Sequence, residues 1–66
     1  MSETELQLAK QRASEQKLRV LKQQTVVLGL RREGGRALEE AVALWEAMKV
    51  ELNVLEGRLD ELVLNA

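Results

Sequence analysis

The chain has 66 residues and a mass of 7.5 kDa, which is enough for one small domain. It contains no Cys, His or Pro, so disulfide bonds, thiol or imidazole catalysis and the common transition-metal ligands are excluded. Ten basic and eleven acidic residues give a net charge of −1, which indicates neither a polyanion-binding protein nor an acidic tail. A domain this short buries little surface, and without a disulfide or a metal it commonly needs a partner.

Helix-forming residues dominate the composition, in which 45% of the residues are apolar and 32% are charged. The charge is divided unequally along the chain. Residues 1–33 carry seven basic and four acidic groups, a net charge of +3, whereas residues 34–66 carry three and seven, a net charge of −4. We therefore expect the two halves to attract each other, or the complementary halves of a second copy.

A glycine pair, Gly34 and Gly35, is the strongest interruption in the chain. Such a pair supplies the positive φ that ends a helix. In one alternative, the loop is longer and runs from Gly29 to Gly35. The sequence predicts an all-α protein, a single antiparallel two-helix hairpin of the coiled-coil type that assembles into a helical bundle. Its predicted parts are helix 1 at about 3–32, a turn at 33–36 and helix 2 at about 37–64.

Helix 2 carries apolar residues at alternating spacings of three and four, which is the a/d pattern of a coiled coil. The single tryptophan and a methionine fall within this series, so we interpret them as core residues rather than as a ligand-binding pair. The predicted core positions of helix 2 are Leu38, Ala41, Trp45, Met48, Leu52, Leu55, Leu59 and Leu62, and Ala66 continues the series.

Helix 1 is less regular, because two registers of apolar residues run side by side along it. Together they form a wide apolar face in its second half and a thin one in its first half. One register holds Leu6, Ala9, Ala13, Val20, Val27 and Leu30, with Gln16 and Gln23 at its remaining positions, and the other holds Leu18, Leu21, Thr25 and Leu28. From this helix we predict Val20, Leu21, Val27 and Leu28 in the hairpin core.

A second apolar stripe follows helix 2 on the side away from the predicted core. Exposed alanines and valines are common, so this stripe can be incidental. We favour the interpretation that helix 2 is contacted on both sides, by helix 1 and by another chain. The predicted partner-binding face comprises Ala43, Ala47, Val50, Val54 and Gly57, together with Leu6, Ala9 and Ala13 at the thin start of helix 1.

The sequence gives no indication of catalysis. Ser14 has no histidine to activate it, and Glu56 and Asp60, one turn apart, are better interpreted as solvated helix charges than as a metal site. We therefore expect no enzyme, no cofactor and no metal. The longest apolar stretch, residues 41–45, is far too short to span a membrane, and the acidic amino terminus does not resemble a secretory signal. These features predict a cytoplasmic protein without membrane contact.

Basic residues in helix 1 raise the alternative of nucleic-acid binding. They project to several sides of the helix and no aromatic residue accompanies them, whereas binding to phosphates favours one basic face. We favour pairing with Glu46, Glu51 and Glu56 of helix 2, as at the flanks of a coiled coil. The basic residues are Lys10, Arg12, Lys17, Arg19, Lys22, Arg31 and Arg32.

Helix 2 resembles the second helix of exodeoxyribonuclease VII small subunits. The resemblance implies a small hairpin subunit that binds a large nuclease subunit and performs no hydrolysis itself. It covers about half the chain, and Met48 stands where the family has a glycine. The matching residues are Gly34, Leu38-Glu39-Glu40-Ala41, Leu44, Trp45, Glu46, Glu56 and Arg58-Leu59-Asp60-Glu61.

A looser similarity is to the hairpin co-chaperones of type III secretion needle subunits. These have a glycine turn near mid-chain, here Gly34 and Gly35, and a Leu-Glu pair late in the second helix, here Leu55 and Glu56. The similarity implies a protein that keeps an aggregation-prone partner soluble. We thus expect a non-catalytic hairpin that acts by self-association or as a small subunit or chaperone of a larger protein. Nucleic-acid binding, or a designed coiled-coil segment without a native task, are the alternatives.

Overall fold

A computed structural model describes residues 3–65, so the predicted core position Ala66 lies outside the described residues. These residues form two α-helices and no strand, with α1 at Glu3–Leu30 and α2 at Gly35–Leu64. The helices run antiparallel and contact each other along a rod 49 Å long. The predicted all-α helical hairpin is confirmed. Both α1 and the turn end about two residues earlier than the sequence predicts.

The turn between the helices, residues 31–34, is closed by two backbone hydrogen bonds to one carbonyl. The amides of Glu33 and Gly34 both donate to the oxygen of Leu30, at 3.1 and 3.0 Å. Gly34 has φ 63° and ψ −157°, a combination that is essentially restricted to glycine. Gly35, with φ 79°, begins α2. Because α1 continues through Gly29, the alternative of a loop starting at that glycine is wrong.

We call the contact between the two helices the inner seam. On both helices it follows the alternating three- and four-residue spacing of a coiled coil, and every member is buried or half-buried. The α2 members are Leu38, Ala41, Trp45, Met48, Leu52, Leu55, Leu59 and Leu62, which are the positions that the sequence predicts for the core. The α1 members are Leu6, Ala9, Ala13, Gln16, Val20, Gln23, Val27 and Leu30.

The prediction that Leu21 and Leu28 lie in the core is wrong, because these side chains are 50% and 52% exposed. α1 uses only one of its two registers for the inner seam, and that register is completed by Gln16 and Gln23 rather than by further apolar residues. A narrow contact with one neighbouring helix has no room for both registers. The second register of α1 therefore lies outside the inner seam.

The assignment of Leu6, Ala9 and Ala13 to a partner-binding face is also wrong. All three lie in the inner seam, where Leu6 and Ala9 are half-buried and Ala13 is 8% exposed. The apolar series of α2 continues without a break to Leu62, so it covers the thin start of α1 as well as its apolar second half. Small side chains in α1 allow this close approach.

Candidate helix-docking surface

Two glutamines of α1 donate hydrogen bonds to the backbone of α2. Gln16 is 2% exposed, and its Nε2 donates a hydrogen bond to the carbonyl oxygen of Met48 at 3.0 Å. Gln23, seven residues later, donates in the same way to the carbonyl oxygen of Ala41 at 2.9 Å. The two acceptors are also seven residues apart, so the same contact is repeated one heptad along the hairpin. These bonds satisfy the buried amides and favour one axial alignment of the helices.

Gln16 is also the centre of a small polar network on one side of the inner seam. Its Nε2 lies 3.4 Å from a carboxylate oxygen of Glu51, and its Oε1 accepts from Arg19 Nη1 at 3.4 Å. The sequence predicts that Glu51 pairs with a basic residue of helix 1. In the structure, Glu51 and Arg19 are instead linked through the amide of Gln16. Both charged side chains are exposed, which places this network at the edge of the seam.

Of the other two predicted acidic partners, Glu56 makes no ion pair within residues 3–65, and Glu46 pairs within its own helix. Glu46 contacts Lys49 within α2, with 2.9 Å between Oε1 and Nζ, and Arg36 lies 4.0 Å from Glu40 in the same helix. The Lys49 ammonium also lies 3.8 Å from the centroid of the Trp45 ring, which is a cation–π contact. Lys49 thus contacts both Glu46 and the face of the tryptophan ring.

An apolar groove lies between the helices near the turn, on the side of the seam opposite the Gln16 network. It has a volume of about 330 Å³, and Trp45 is one of its lining residues. The indole Nε1 of Trp45 is buried and has no hydrogen-bond acceptor in residues 3–65. A second groove of about 310 Å³ lies near the free ends of the helices. The first groove is lined by Gln24, Val27, Leu28, Arg31, Leu38, Val42 and Trp45.

The unused register of α1 forms an exposed face that we call the α1 outer stripe. Its residues recur at spacings of three and four, which is the spacing that a helix presents to another helix in a coiled coil. Leu18 is 57% exposed, and the stripe lies outside the inner seam, although Leu28 also lines the groove beside Trp45. Its members are Leu18, Leu21, Thr25 and Leu28.

The predicted partner-binding face of helix 2 is exposed in the structure, and we call it the α2 outer stripe. Val50 and Val54 are its largest side chains, at 62% and 64% exposure. The stripe follows the same spacing of three and four, and its other positions are small. Its members are Ala43, Ala47, Val50, Val54 and Gly57.

The residues beside the two outer stripes differ in charge. Three exposed basic residues, Lys17, Lys22 and Arg31, flank the α1 outer stripe, along with one acidic residue, Glu15. The α2 outer stripe is flanked by acidic residues and by one basic residue. These are Glu39, Glu46, Glu51 and Asp60, with Arg58. The α1 outer stripe is therefore flanked by net positive charge and the α2 outer stripe by net negative charge, in agreement with the net charges of the two halves of the chain.

Sequence reasoning did not predict the cross-helix contacts of the two glutamines or the identity of their acceptors. The first of these features has a signal in the sequence. The recurrence of glutamine at the same heptad position, at Gln16 and Gln23, is a signal for polar contacts across a helix pair. Apolar periodicity alone treats these two positions only as gaps in the register. That their acceptors are backbone carbonyls of α2 depends on how closely the helices approach, which the pattern of residue types does not specify.

Other kinds of site find no support in the described residues. Within residues 3–65, no group of three Asp, Glu, Cys or His side chains is placed to hold a metal ion. Neither α1 nor α2 is long and apolar enough to cross a bilayer. No family model, curated protein or solved structure matches the chain.

Proposed function

We propose that this protein is a non-catalytic helical hairpin that works by binding helices of another chain. The inner seam holds the hairpin together, and the outer stripes provide the contact surface. The partner is a further copy of the chain or a larger protein for which the hairpin is a small subunit or chaperone. An exodeoxyribonuclease VII-like accessory subunit and a type III secretion co-chaperone would both be instances of this function.

The observation that carries the proposal is the exposure of apolar side chains at coiled-coil spacing on both outer faces. Leu18, Leu21 and Leu28 of α1 and Val50 and Val54 of α2 are each at least half exposed. Full burial of a Leu or Val side chain contributes roughly 1.5–3 kcal/mol, so covering the exposed half of each contributes about 1 kcal/mol. Five such residues contribute about 5 kcal/mol, which is comparable only to the lower estimates of the cost of docking, so polar contacts beside the stripes have to contribute as well.

Nucleic-acid binding receives less support. The basic residues of α1 lie on both flanks of the inner seam as well as beside the outer stripe, and Arg19 is engaged by Gln16. A phosphate backbone would meet only part of this set at once. We therefore retain protein binding as the single proposed function.

The proposal is tested by placing a photoreactive amino acid, p-benzoylphenylalanine, in the chain within the cells that produce it. With the photoreactive residue in place of Val54, irradiation should give discrete covalent adducts, because that position lies in the α2 outer stripe. An adduct with the mass of two chains indicates self-association, and a heavier one indicates a different partner. The purified adduct identifies the bound chain by mass spectrometry.

The matched control places the same residue at Glu33, which is exposed in the turn and outside both stripes. We expect few or no adducts from that position. Equal adduct patterns from positions 33 and 54, or no adducts from position 54, would contradict the proposed function.

A further inference from the structure

We infer that the α2 outer stripe binds the α1 outer stripe of a second copy of this chain, so that the hairpins associate head to tail. This inference rests on the proposed function and identifies the bound partner as a second copy of the protein. It is carried by two independent complementarities between the stripes, one of size and one of charge. Both concern residues that the fold of a single hairpin leaves exposed.

The stripes are complementary in size. The α1 outer stripe presents three leucines, whereas the α2 outer stripe presents alanines, valines and a glycine. When the two stripes are laid antiparallel, one register sets Leu28 opposite Ala47 and Leu18 opposite Gly57. The same register sets Leu21 opposite Val54 and Thr25 opposite Val50. Two of the three leucines thus meet the smallest positions of the other helix, Ala47 and Gly57, and Thr25 meets a valine, as close helix packing favours.

The same register brings opposite charges together along both edges. In the hairpin itself, the edge residues Arg19 and Glu51 lie on one side of the inner seam and both contact Gln16. Applying this heptad geometry to the outer stripes gives four opposite-charge pairs between copies and no pair of like charges. The pairs are Lys17 with Asp60, Lys22 with Glu51, Arg31 with Glu46, and Glu15 with Arg58.

A neighbouring register is less favourable. If the two hairpins were aligned without an axial offset, Leu28 would face Glu40. The edges would then hold two opposite-charge pairs, Lys10 with Asp60 and Arg31 with Glu39, and one like-charge pair, Glu15 with Glu51. The favoured register shifts the second copy by one heptad, which is about 10 Å at 1.5 Å per residue. Rotation about a two-fold axis parallel to the helices produces no such offset. The contact therefore joins two different surfaces without two-fold symmetry.

The position of the stripes determines the form of the assembly. On each helix the outer stripe lies on the face turned away from the inner seam, rather than beside it. A closed four-helix bundle needs two contact faces at about a right angle on every helix. Contacts on opposite faces instead extend a row, in which every copy has one free α1 stripe and one free α2 stripe for the next. We therefore expect concentration-dependent oligomers larger than a dimer.

The test uses two full-length variants, Leu21→Glu and Val54→Glu, each of which introduces a charge into one stripe. Because both side chains are at least half exposed, circular dichroism and Trp45 fluorescence should match the unsubstituted protein. In sedimentation velocity, we expect each variant alone to associate at least tenfold more weakly than the unsubstituted chain. An equimolar mixture should form a one-to-one dimer and grow no further, because one intact stripe remains on each variant.

Three results would overturn the inference. The first is a Val54→Glu variant that alone associates like the unsubstituted chain, which would indicate a contact between two α1 stripes. The second is a mixture that remains monomeric although each variant is folded. The third is an unsubstituted protein that is monomeric at every concentration while the crosslinker at position 54 captures a larger protein. That last result would leave the proposed function in place and reject only the identity of the partner.

A charge exchange provides a second set of variants. Lys17→Asp or Asp60→Lys alone should weaken association about two- to fivefold, the range of an exposed ion pair, and the double variant should recover it. Lys10→Asp is the matched control, because Lys10 lies at the same heptad position but beyond the overlap of the two stripes. The inference fails if the double variant associates no better than the single ones, or if the Lys10 change has an equal effect.

Discussion

The two helices contribute unequally to the contact between them. α2 supplies an uninterrupted apolar series that ends at Leu62, whereas the α1 series consists of alanines, valines and leucines and is interrupted by the two glutamines Gln16 and Gln23. The larger apolar side chains of the contact therefore come mostly from α2, and α1 contributes close approach and a preferred alignment. A helix face with fewer large apolar side chains can therefore pair with a strongly apolar face when its polar side chains hydrogen-bond to the backbone of the partner helix.

The outer faces reverse this relation. There α1 presents the large leucines and α2 the small residues, and the flanking charges are basic on α1 and acidic on α2. Each helix thus has one face rich in large apolar side chains and one face of smaller or polar ones. A hairpin with this arrangement can satisfy its inner contact and still expose a surface suited to a further helix. The changes below separate the two faces, beginning with the largest expected loss of stability.

The first change, Leu52→Ala, removes apolar volume from the α2 side of the inner seam. We expect a loss of about 2 kcal/mol in the free energy of unfolding, at the lower end for Leu→Ala because the side chain is half-buried. For a domain this small, that is a large part of the total stability. Urea unfolding followed by circular dichroism, at one fixed protein concentration, measures it.

Leu44→Ala is the control for this loss, since Leu44 is 49% exposed and lies outside the inner seam. It should cost less than half as much. Similar losses at both positions would mean that the inner seam is not the main source of stability, and the assignment of the two faces would be incorrect.

The second change, Gly34→Ala, acts on the turn that sets the two helices antiparallel. An added Cβ would meet nothing within 4 Å, so the effect is conformational rather than steric. Because Gly34 combines φ 63° with ψ −157°, alanine there should cost about 1–3 kcal/mol of stability. Thermal unfolding followed by circular dichroism measures the loss.

Gly29→Ala is the matched control within α1, where a Cβ also has open space and no positive φ is required. In a helix interior, alanine is favoured over glycine by roughly 1 kcal/mol, so this variant should be more stable than the unsubstituted protein. Changes of the same sign at the two glycines would contradict the structural difference between them.

The sequence contains enough information for the hairpin and for the inner face of α2, because both depend on local signals. A glycine pair marks the reversal, and an unbroken a/d series marks the face. The choice between the two registers of α1 is different in kind. The apolar residues of the second half fit both, and only contact with α2 along the whole length decides that Leu21 and Leu28 lie outside. The choice of register depends on tertiary contacts, so counting the apolar residues of α1 alone predicts the wrong core residues.

The third change concerns Gln16, the buried polar member of this register. Gln16→Leu replaces a buried amide with an apolar side chain, while the carbonyl of Met48 keeps its place in the continuous helix α2. Losing one partner of a buried hydrogen bond is costly when the other is left unsatisfied, but this carbonyl is also the acceptor of a helical hydrogen bond, so we expect the free energy of unfolding to change by less than about 1 kcal/mol. Gln16→Ala, which leaves a gap, should cost about 1–2 kcal/mol.

The effect of Gln16→Leu should appear in specificity instead, because a polar residue at an a/d position fixes alignment more than it adds stability. In the double variant Gln16→Leu, Gln23→Leu, we expect additional or broadened amide resonances in NMR spectra, as helices that slide between alignments would give. Gln7→Ala, at an exposed position of α1, serves as the control and should leave both stability and spectra unchanged. A single sharp set of resonances from the double variant would mean that the turn and the apolar series of α2 alone determine the alignment, and that the glutamines merely satisfy their own buried amides.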